Sequence, residues 1–240
     1  MKVSILIPAY NEARTCRVLL ERVVKANTAG CDREIIVIES GSSDGTRSII
    51  QEYESRGLIR AIYERRPLGK GHAIREGLKA AIGEIILIQD ADLEYSVEDY
   101  PDLLEPLLQN RTDFVLGSRH LGQGSWKIRR FINEGLDAFI MNLGTLSFTW
   151  LFNLLYGVRL TDPATMFKVF RRSSLNGIPL RSRWFELDWE IVAKLVRGGH
   201  IPLEVPVSYV SRSFREGKKI RFWRDGMMGL WAILRFRFLT

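Results

Sequence analysis

Ile85-Ile86-Leu87-Ile88-Gln89-Asp90-Ala91-Asp92-Leu93-Glu94 decides how this chain is read. Four consecutive branched apolar residues, too short a run for a helix and closed by polar groups, predict a buried strand. The carboxylates that follow then stand at the strand's carboxyl end. Similar short runs recur at residues 3–8, 34–38, 59–63 and 114–117. Segments of helical period lie between them, with Leu19, Leu20, Val23 and Val24 on one apolar face and Ile74, Leu78 and Ile82 on another. Strands alternating with helices predict an α/β fold with a mostly parallel, doubly wound sheet.

Ligands of such sheets bind beyond the carboxyl ends of the strands. The residues placed there are Ala9-Tyr10-Asn11-Glu12, Glu39-Ser40-Gly41-Ser42, Asp90-Ala91-Asp92 and Ser118-Arg119. Polar and acidic groups from separate parts of the chain thus converge on one edge. Hard divalent ions prefer oxygen ligands and commonly bridge one or two carboxylates to substrate phosphates. By that chemistry Asp90, Asp92 and Glu94 form a candidate site for Mg²⁺ or Mn²⁺. Residues 41–46 read as a strand-to-helix turn with Ser43 or Asp44 as N-cap. Gly69-Lys70-Gly71 lacks the spacing of a nucleotide-triphosphate loop and reads as a tight turn before a helix.

The composition, 46% hydrophobic and 26% charged, is that of a globular chain, and the formal charge of +7 favours an anionic partner. The basic residues form no nucleic-acid recognition motif, so no nucleic acid is expected. Cys16 and Cys31 are isolated and imply free thiols in a reducing, cytoplasmic setting. The apolar opening of the chain is too short for a signal-peptide core and reads as a first strand. His72, His120 and His200 are scattered and suggest neither a zinc site nor a triad.

After residue 120 come a basic patch, Lys127, Arg129 and Arg130, and an apolar stretch reaching Tyr156. A further helical segment is expected near residues 185–196, and Pro202 and Pro206 bracket an extended piece. The apolar stretch is interrupted by Asp137, Asn142 and Asn153. An acidic side chain near mid-bilayer costs about 2.5 to 3.5 kcal/mol. An interfacial helix is therefore favoured over a spanning one. A buried helix or a homo-oligomer contact stays open. The aromatic and arginine-rich end, residues 222–238, reads as a second interfacial element or a core helix. A single domain of residues 1–240 is expected, with 1–119 binding the donor and 120–240 the acceptor and membrane.

Ile7-Pro8-Ala9-Tyr10-Asn11-Glu12, the acidic loop at Asp90, Gly117-Ser118-Arg119, Thr161-Asp162 with Phe167-Lys168-Val169-Phe170-Arg171, and Glu216-Gly217-Lys218-Lys219 occur in this order. Together they resemble the inverting glycosyltransferases of family 2, in particular the dolichol-phosphate mannose synthase branch and its bacterial polyprenyl-phosphate relatives. The resemblance implies the GT-A (Rossmann-like) fold, a nucleotide-sugar donor such as GDP-mannose or a UDP-hexose, and a polyprenyl phosphate acceptor at the cytoplasmic face of a membrane. It implies nucleotide contacts from Pro8, Tyr10, Glu12 and Glu39, and metal and diphosphate contacts from Asp90, Asp92 and Glu94. Arg119, Arg212, Lys218 and Lys219 would face phosphates. The family often has Asp-Asp where this chain has Glu39-Ser40, and Gln where it has Glu94, so the base is left open.

A polyprenyl monophosphate is already anionic near neutral pH and needs little deprotonation. By the resemblance Asp162 matches an aspartate that serves relatives as base or acceptor organiser, and with such an acceptor the organiser role is expected; a turn aspartate before Pro163 is the other reading. Transfer to a soluble or polymer-bound hydroxyl would instead require a general base, for which Asp162 and Asp188 are the candidates. A noncatalytic nucleotide-binding or scaffold protein is a further alternative.

Overall fold

The computed structural model describes residues 1–125, 128, 135–212 and 222–239. Lys127, Arg129, Arg130 and Phe131, the Glu216-Gly217-Lys218-Lys219 motif, and the side chains of Asp137, Phe222, Trp223 and Arg224 lie outside the described residues.

The central strands are β1 (Lys2–Ala9) and β4 (Ile85–Ile88), whose inner residues are almost wholly buried. Burial on both faces explains why they read as continuous apolar runs rather than alternating ones. β1 pairs in parallel with β2 (Asp32–Glu39) on one side, Ile5 opposite Ile35, and with β4 on the other, Ile5 opposite Leu87. β3 (Arg60–Tyr63) continues the sheet beyond β2. Past β4 come β6 (Lys168–Arg171), β5 (Phe114–Ser118) and β7 (Leu203–Pro206), giving the order β3-β2-β1-β4-β6-β5-β7. β6 is antiparallel to both neighbours, with Phe170 opposite Ile86 and Phe114. The sheet is mostly parallel as expected, and β6 is the strand the residue pattern does not announce. Its first residue is a lysine, which is fully buried here because Asp188 neutralises it.

Connecting helices cover the sheet. α1 (Ala13–Lys25) buries Leu19, Leu20 and Val23 and packs on α2 (Thr46–Ser55). α3 (Lys70–Ala80) lies on β1 and β2 through Ile74, with Leu78 partly buried. Ile82 departs from the expected face: α3 ends before it, and it is 61% exposed. The turn before α2 also differs from expectation. Gly45, at φ +99°, occupies the N-cap position, and Asp44 instead accepts from the Thr46 and Ala13 N–H groups. α4 (Tyr100–Leu108) packs on β5 and β6, and the short α5 (Arg119–Gln123) starts where β5 ends.

Three further helices lie together: α6 (Gly135–Tyr156), α7 (Leu187–Arg197) and α8 (Phe222–Phe238). α7 is buried along most of its length, whereas α6 and α8 expose large apolar groups, among them Leu143, Trp150, Leu154, Met227 and Trp231. By length and composition, residues Ala138–Tyr156 could cross a membrane.

Candidate active site

In the strand order, the chain leaves β1 toward β2 on one side, while β4 pairs on the other. A crevice forms where connections diverge in this way. Two of the expected segments meet at this point: the turn after β1, carrying Tyr10 and Glu12, and the acidic loop after β4.

The acidic loop is built from below. Tyr100 Oη donates to Gln89 Oε1 at 2.9 Å, and Gln89 Nε2 donates to the Asp90 carbonyl at 3.0 Å. From the β1 side, Thr15 Oγ1 donates to the Ala91 carbonyl at 2.8 Å. Asp92 Oδ1 accepts from the Glu94 N–H at 3.1 Å, closing a local turn. That turn places Leu93 at φ +53°. A branched apolar residue there is strained by on the order of 1 to 3 kcal/mol, a cost tolerated mainly where position matters.

Each carboxylate of the loop has a cation beside it. Arg212 donates to Asp92 Oδ2 at 2.6 Å and to Glu12 Oε2 at 3.0 Å, tying together residues far apart in sequence. Its backbone N–H reaches Glu94 Oε1 at 2.9 Å, and Tyr209 Oη donates to Glu94 Oε2 at the same distance. Lys70 stands 3.1 Å from Asp90 and 3.6 Å from Asp188. Lys168 in turn is 3.1 Å from Asp188 and also donates to the Thr165 carbonyl. The result is a continuous run of alternating charge, Lys168, Asp188, Lys70, Asp90, beneath the mouth of the site.

Burial and the proximity of Asp90 and Glu94 push the Asp92 carboxyl up to about 7, despite Arg212. Burial and the charge of Asp188 likewise hold Asp90 above the usual carboxylate range, against the pull of Lys70. Asp188 goes the other way: burial opposes its charge, but Lys168 and Lys70 hold it low. Among the described residues, four carboxylates at the mouth, Glu12, Asp90, Asp92 and Glu94, face two cations, Lys70 and Arg212. Among the described residues, however, no three acidic, histidine or cysteine side chains already converge as a metal cage. Of the expected trio, Asp92 and Glu94 share Arg212, while Asp90 pairs with Lys70.

Other expected residues are deeper. Glu39 is fully buried, with Oε1 accepting from the Ser42 N–H at 2.5 Å and Oε2 from Arg47 at 2.6 Å, so it holds the turn after β2. Arg119 and Asp162 form a buried pair. Asp162 accepts from Arg119 Nε and Nη2, each at 2.7 Å, and from the Arg119 N–H at 3.0 Å. Burial opposes the Asp162 charge, but the guanidinium outweighs it and keeps the carboxyl below the usual range. The guanidinium also lies 5.2 Å from the centre of the Tyr209 ring, which links the pair to Glu94. Arg119 is thus consumed by Asp162 rather than exposed to a phosphate. Tyr10 is exposed, Pro8 is half-buried, and Lys218 and Lys219 are outside the described residues.

The residue pattern marks neither Lys70 nor Tyr209 as a site residue, holds Lys168 only within the Phe167–Arg171 motif, and offers Asp188 only as a base. Lys70 sits in the Gly69-Lys70-Gly71 turn. That turn does more than start a helix: Gly69 has φ +99°, and a Cβ there would lie 2.3 Å from the Arg183 carbonyl oxygen. The glycines let α3 approach the segment before α7, which brings Lys70 to Asp188. A lysine flanked by glycines after a strand, and a lysine opening an apolar strand, were the available signals.

A carboxylate-lined crevice at the switch point of a mostly parallel α/β sheet lies where such sheets bind their ligands. The sequence profile of glycosyl transferase family 2 matches residues 4–178, and the chain belongs to that family. It is 28% identical to the dolichol-phosphate mannosyltransferase of Pyrococcus furiosus over 91% of this chain and 59% of that protein. It is also 28% identical to the dodecaprenyl-phosphate galacturonate synthase of Rhizobium johnstonii, covering 88% and 60% of the two chains. An undecaprenyl-phosphate 4-deoxy-4-formamido-L-arabinose transferase of Aeromonas hydrophila is 30% identical over 73% of this chain and 51% of that one. The chain therefore spans between half and three-fifths of the length of these relatives. In fold it has the GT-A architecture. It superposes on glucosyl-3-phosphoglycerate synthase from Mycobacterium tuberculosis, solved with Mn²⁺, UDP and phosphoglyceric acid, with a TM-score of 0.71 at 19% identity, over 100% of this chain and 79% of that one. The same enzyme with Mg²⁺ and UDP gives 0.69 at 18% identity, over 98% and 79%.

Proposed function

We propose that this glycosyltransferase moves a sugar from a nucleotide-sugar donor, GDP-mannose or a UDP-hexose, onto a polyprenyl phosphate, with inversion, while lying on the cytoplasmic face of a membrane. The observation that carries the reading is the meeting of Glu12, Asp90, Asp92 and Glu94 at the β1/β4 crevice, where among the described residues these four carboxylates outnumber Lys70 and Arg212. That excess fits a divalent cation. Mg²⁺ or Mn²⁺ held by Asp90, Asp92 and Glu94 would neutralise charge on the leaving diphosphate.

Pro8, Tyr10, Glu12 and Glu39 then surround the nucleotide, Glu39 by holding the loop that carries Ser42. An acceptor phosphate oxygen forms the new bond to the anomeric carbon, and the electron pair of the breaking C–O bond passes to the nucleoside diphosphate. No strong base is needed. Asp162, held ionised by Arg119, supports the organiser role rather than proton abstraction. Arg119 acts with it as a positioning residue, while Arg212, Lys218 and Lys219 serve the acceptor phosphate. Residues 1–119 supply the donor half of a single domain and 120–240 the acceptor half. The exposed apolar faces of α6 and α8 suit a headgroup boundary.

The test is to screen GDP-mannose and UDP-hexoses against a short-chain polyprenyl phosphate, with Mg²⁺ or Mn²⁺, and identify the lipid product. Labelled sugar appearing only on simple soluble acceptors would overturn the acceptor assignment.

A further inference from the structure

The turn Leu160-Thr161-Asp162 is held from three directions. α6 supplies Asn153, whose Nδ2 donates to the Leu160 carbonyl at 2.8 Å and whose Oδ1 accepts from the Leu160 N–H at 2.9 Å. The end of β5 supplies Ser118, with its hydroxyl 2.7 Å from that of Thr161, and then Arg119, which grips the Asp162 carboxylate. β7 supplies Glu204.

Glu204 fixes the main chain itself. Its Oε2 accepts from the Thr161 N–H at 2.7 Å and its Oε1 from the Asp162 N–H at 2.8 Å. Two successive N–H groups thus face the two oxygens of one carboxylate. Parallel pairing of β7 with β5 sets this reach: Glu204 stands opposite Leu116, and Pro206 opposite Ser118. Asp162 is therefore clamped twice, its side chain by Arg119 and its main chain by Glu204.

Stability alone does not account for a carboxylate here. Glu204 is half-buried on the edge strand of the sheet, where a charge loses hydration. Burial, with the charge of Asp162 nearby, raises its carboxyl above the usual range, although the Thr161 and Asp162 N–H groups pull the other way. Folding disfavours the ionised form of an acid raised in this way, so its ionisation lessens stability as pH rises. What the carboxylate supplies is geometry. Hydrogen bonds to an ionised acceptor are shorter and stronger than neutral ones, and a pair of them fixes both position and rotation.

The surroundings of the turn give that geometry a use. Asn153 roots the turn in α6, the helix that exposes Leu143, Trp150 and Leu154. Arg119 joins it, through the Tyr209 ring, to Glu94 of the acidic loop. The turn thus touches both the helix whose apolar face suits a membrane and the network at the donor crevice. An acceptor lipid has to bring its phosphate from the first to the second.

We infer that Glu204 is a positioning residue for the acceptor, holding the Thr161-Asp162 turn so that Asp162 and Arg119 meet the acceptor in one fixed arrangement. The inference rests on the acceptor assignment given under the proposed function.

The test is steady-state kinetics of the full chain and its Glu204→Gln and Glu204→Asp variants, with short-chain polyprenyl phosphate and the nucleotide sugar varied in turn. Thermal unfolding is followed on the same preparations. Glu204→Gln keeps the shape but sets an amide N–H₂ against one of the two N–H groups. Losing that charge-assisted hydrogen bond raises the acceptor KM about ten-fold and leaves the donor KM unchanged. Glu204→Asp keeps both acceptor oxygens one methylene short, so its acceptor KM falls between wild type and Glu204→Gln. It carries the test by itself if Glu204→Gln fails to fold. An acceptor KM unchanged in the variants overturns the inference. So does a joint rise of acceptor and donor KM with a lowered thermal midpoint, or the failure of both variants to fold, since each marks a role in the fold alone. Lipid glycosylation by wild type with the acceptor KM kept in the variants refutes the role of Glu204 only. Transfer by wild type to soluble acceptors alone refutes the acceptor assignment, and this inference with it.

Discussion

Replacing Asp162 by Asn separates a buried organising pair from a catalytic base. In the native protein Asp162 is fully buried and accepts three N–H groups from Arg119, two from the guanidinium and one from the backbone. Asn keeps the volume but removes the charge and turns an amide N–H₂ toward a guanidinium that can only donate. A buried charge left without its partner costs about 3 to 5 kcal/mol. With a urea m-value of about 3 kcal/mol/M for a domain of this size, the midpoint of unfolding falls by about 1 to 1.7 M. The double variant Arg119→Met with Asp162→Leu removes both charges and is expected to be far milder than either single change. The pH dependence has a definite sign. Burial opposes the Asp162 charge, but Arg119 prevails and holds its carboxyl below the usual carboxylate range. Its contribution to stability is therefore present above about pH 4 and is lost as pH falls further. The assay is urea unfolding followed by far-UV circular dichroism between pH 3 and pH 8. An Asp162→Asn midpoint within error of wild type, or a double variant as damaging as the sum of the singles, would refute this account of the pair.

The remaining predictions concern the mouth of the site. Burial, with Asp90 and Glu94 nearby, raises Asp92 to about 7, so its protonated form favours the folded state and that contribution disappears as pH rises through about 7. A divalent cation binds the ionised form; the affinity for Mn²⁺ should climb about ten-fold per pH unit up to about pH 7 and then level off. Calorimetric titration in buffers of different ionisation heat checks this, and the absence of proton release at pH 6 would contradict it. Lys70→Met leaves Asp90 and Asp188 with one cation fewer, destabilising the metal-free protein by about 3 kcal/mol. The same change deepens the carboxylate excess, so Mn²⁺ should raise the thermal midpoint more in the variant than in wild type. Equal shifts would show that Lys70 does not set the charge of the site.

The legible part of this protein was what short-range pattern encodes. The runs at residues 3–8, 34–38 and 85–89 read as strands because burial on both faces demands apolar residues throughout, and each is a strand of the parallel region. The acidic loop could be placed at a strand end for the same reason, and strand ends are where such sheets bind ligands. Ile82 misled because helical period continues past the point where α3 stops. β6 escaped because a lysine in its first position disguises a core strand, and its antiparallel pairing depends on neighbours remote in sequence.

Charge pairing at the site belongs to the tertiary structure. Arg212 meets Glu12 and Asp92, Arg119 meets Asp162, and Lys70 meets both Asp90 and Asp188. None of these pairs shares a local repeat, so no periodicity reveals them. The sequence by itself determined which groups stand at the carboxyl edge of the sheet, since side-chain burial follows strand and helix period. Only the folded chain decided which of those groups are neutralised, which are buried and which remain available to a ligand, because Coulomb energy and desolvation depend on distances that long-range packing alone sets.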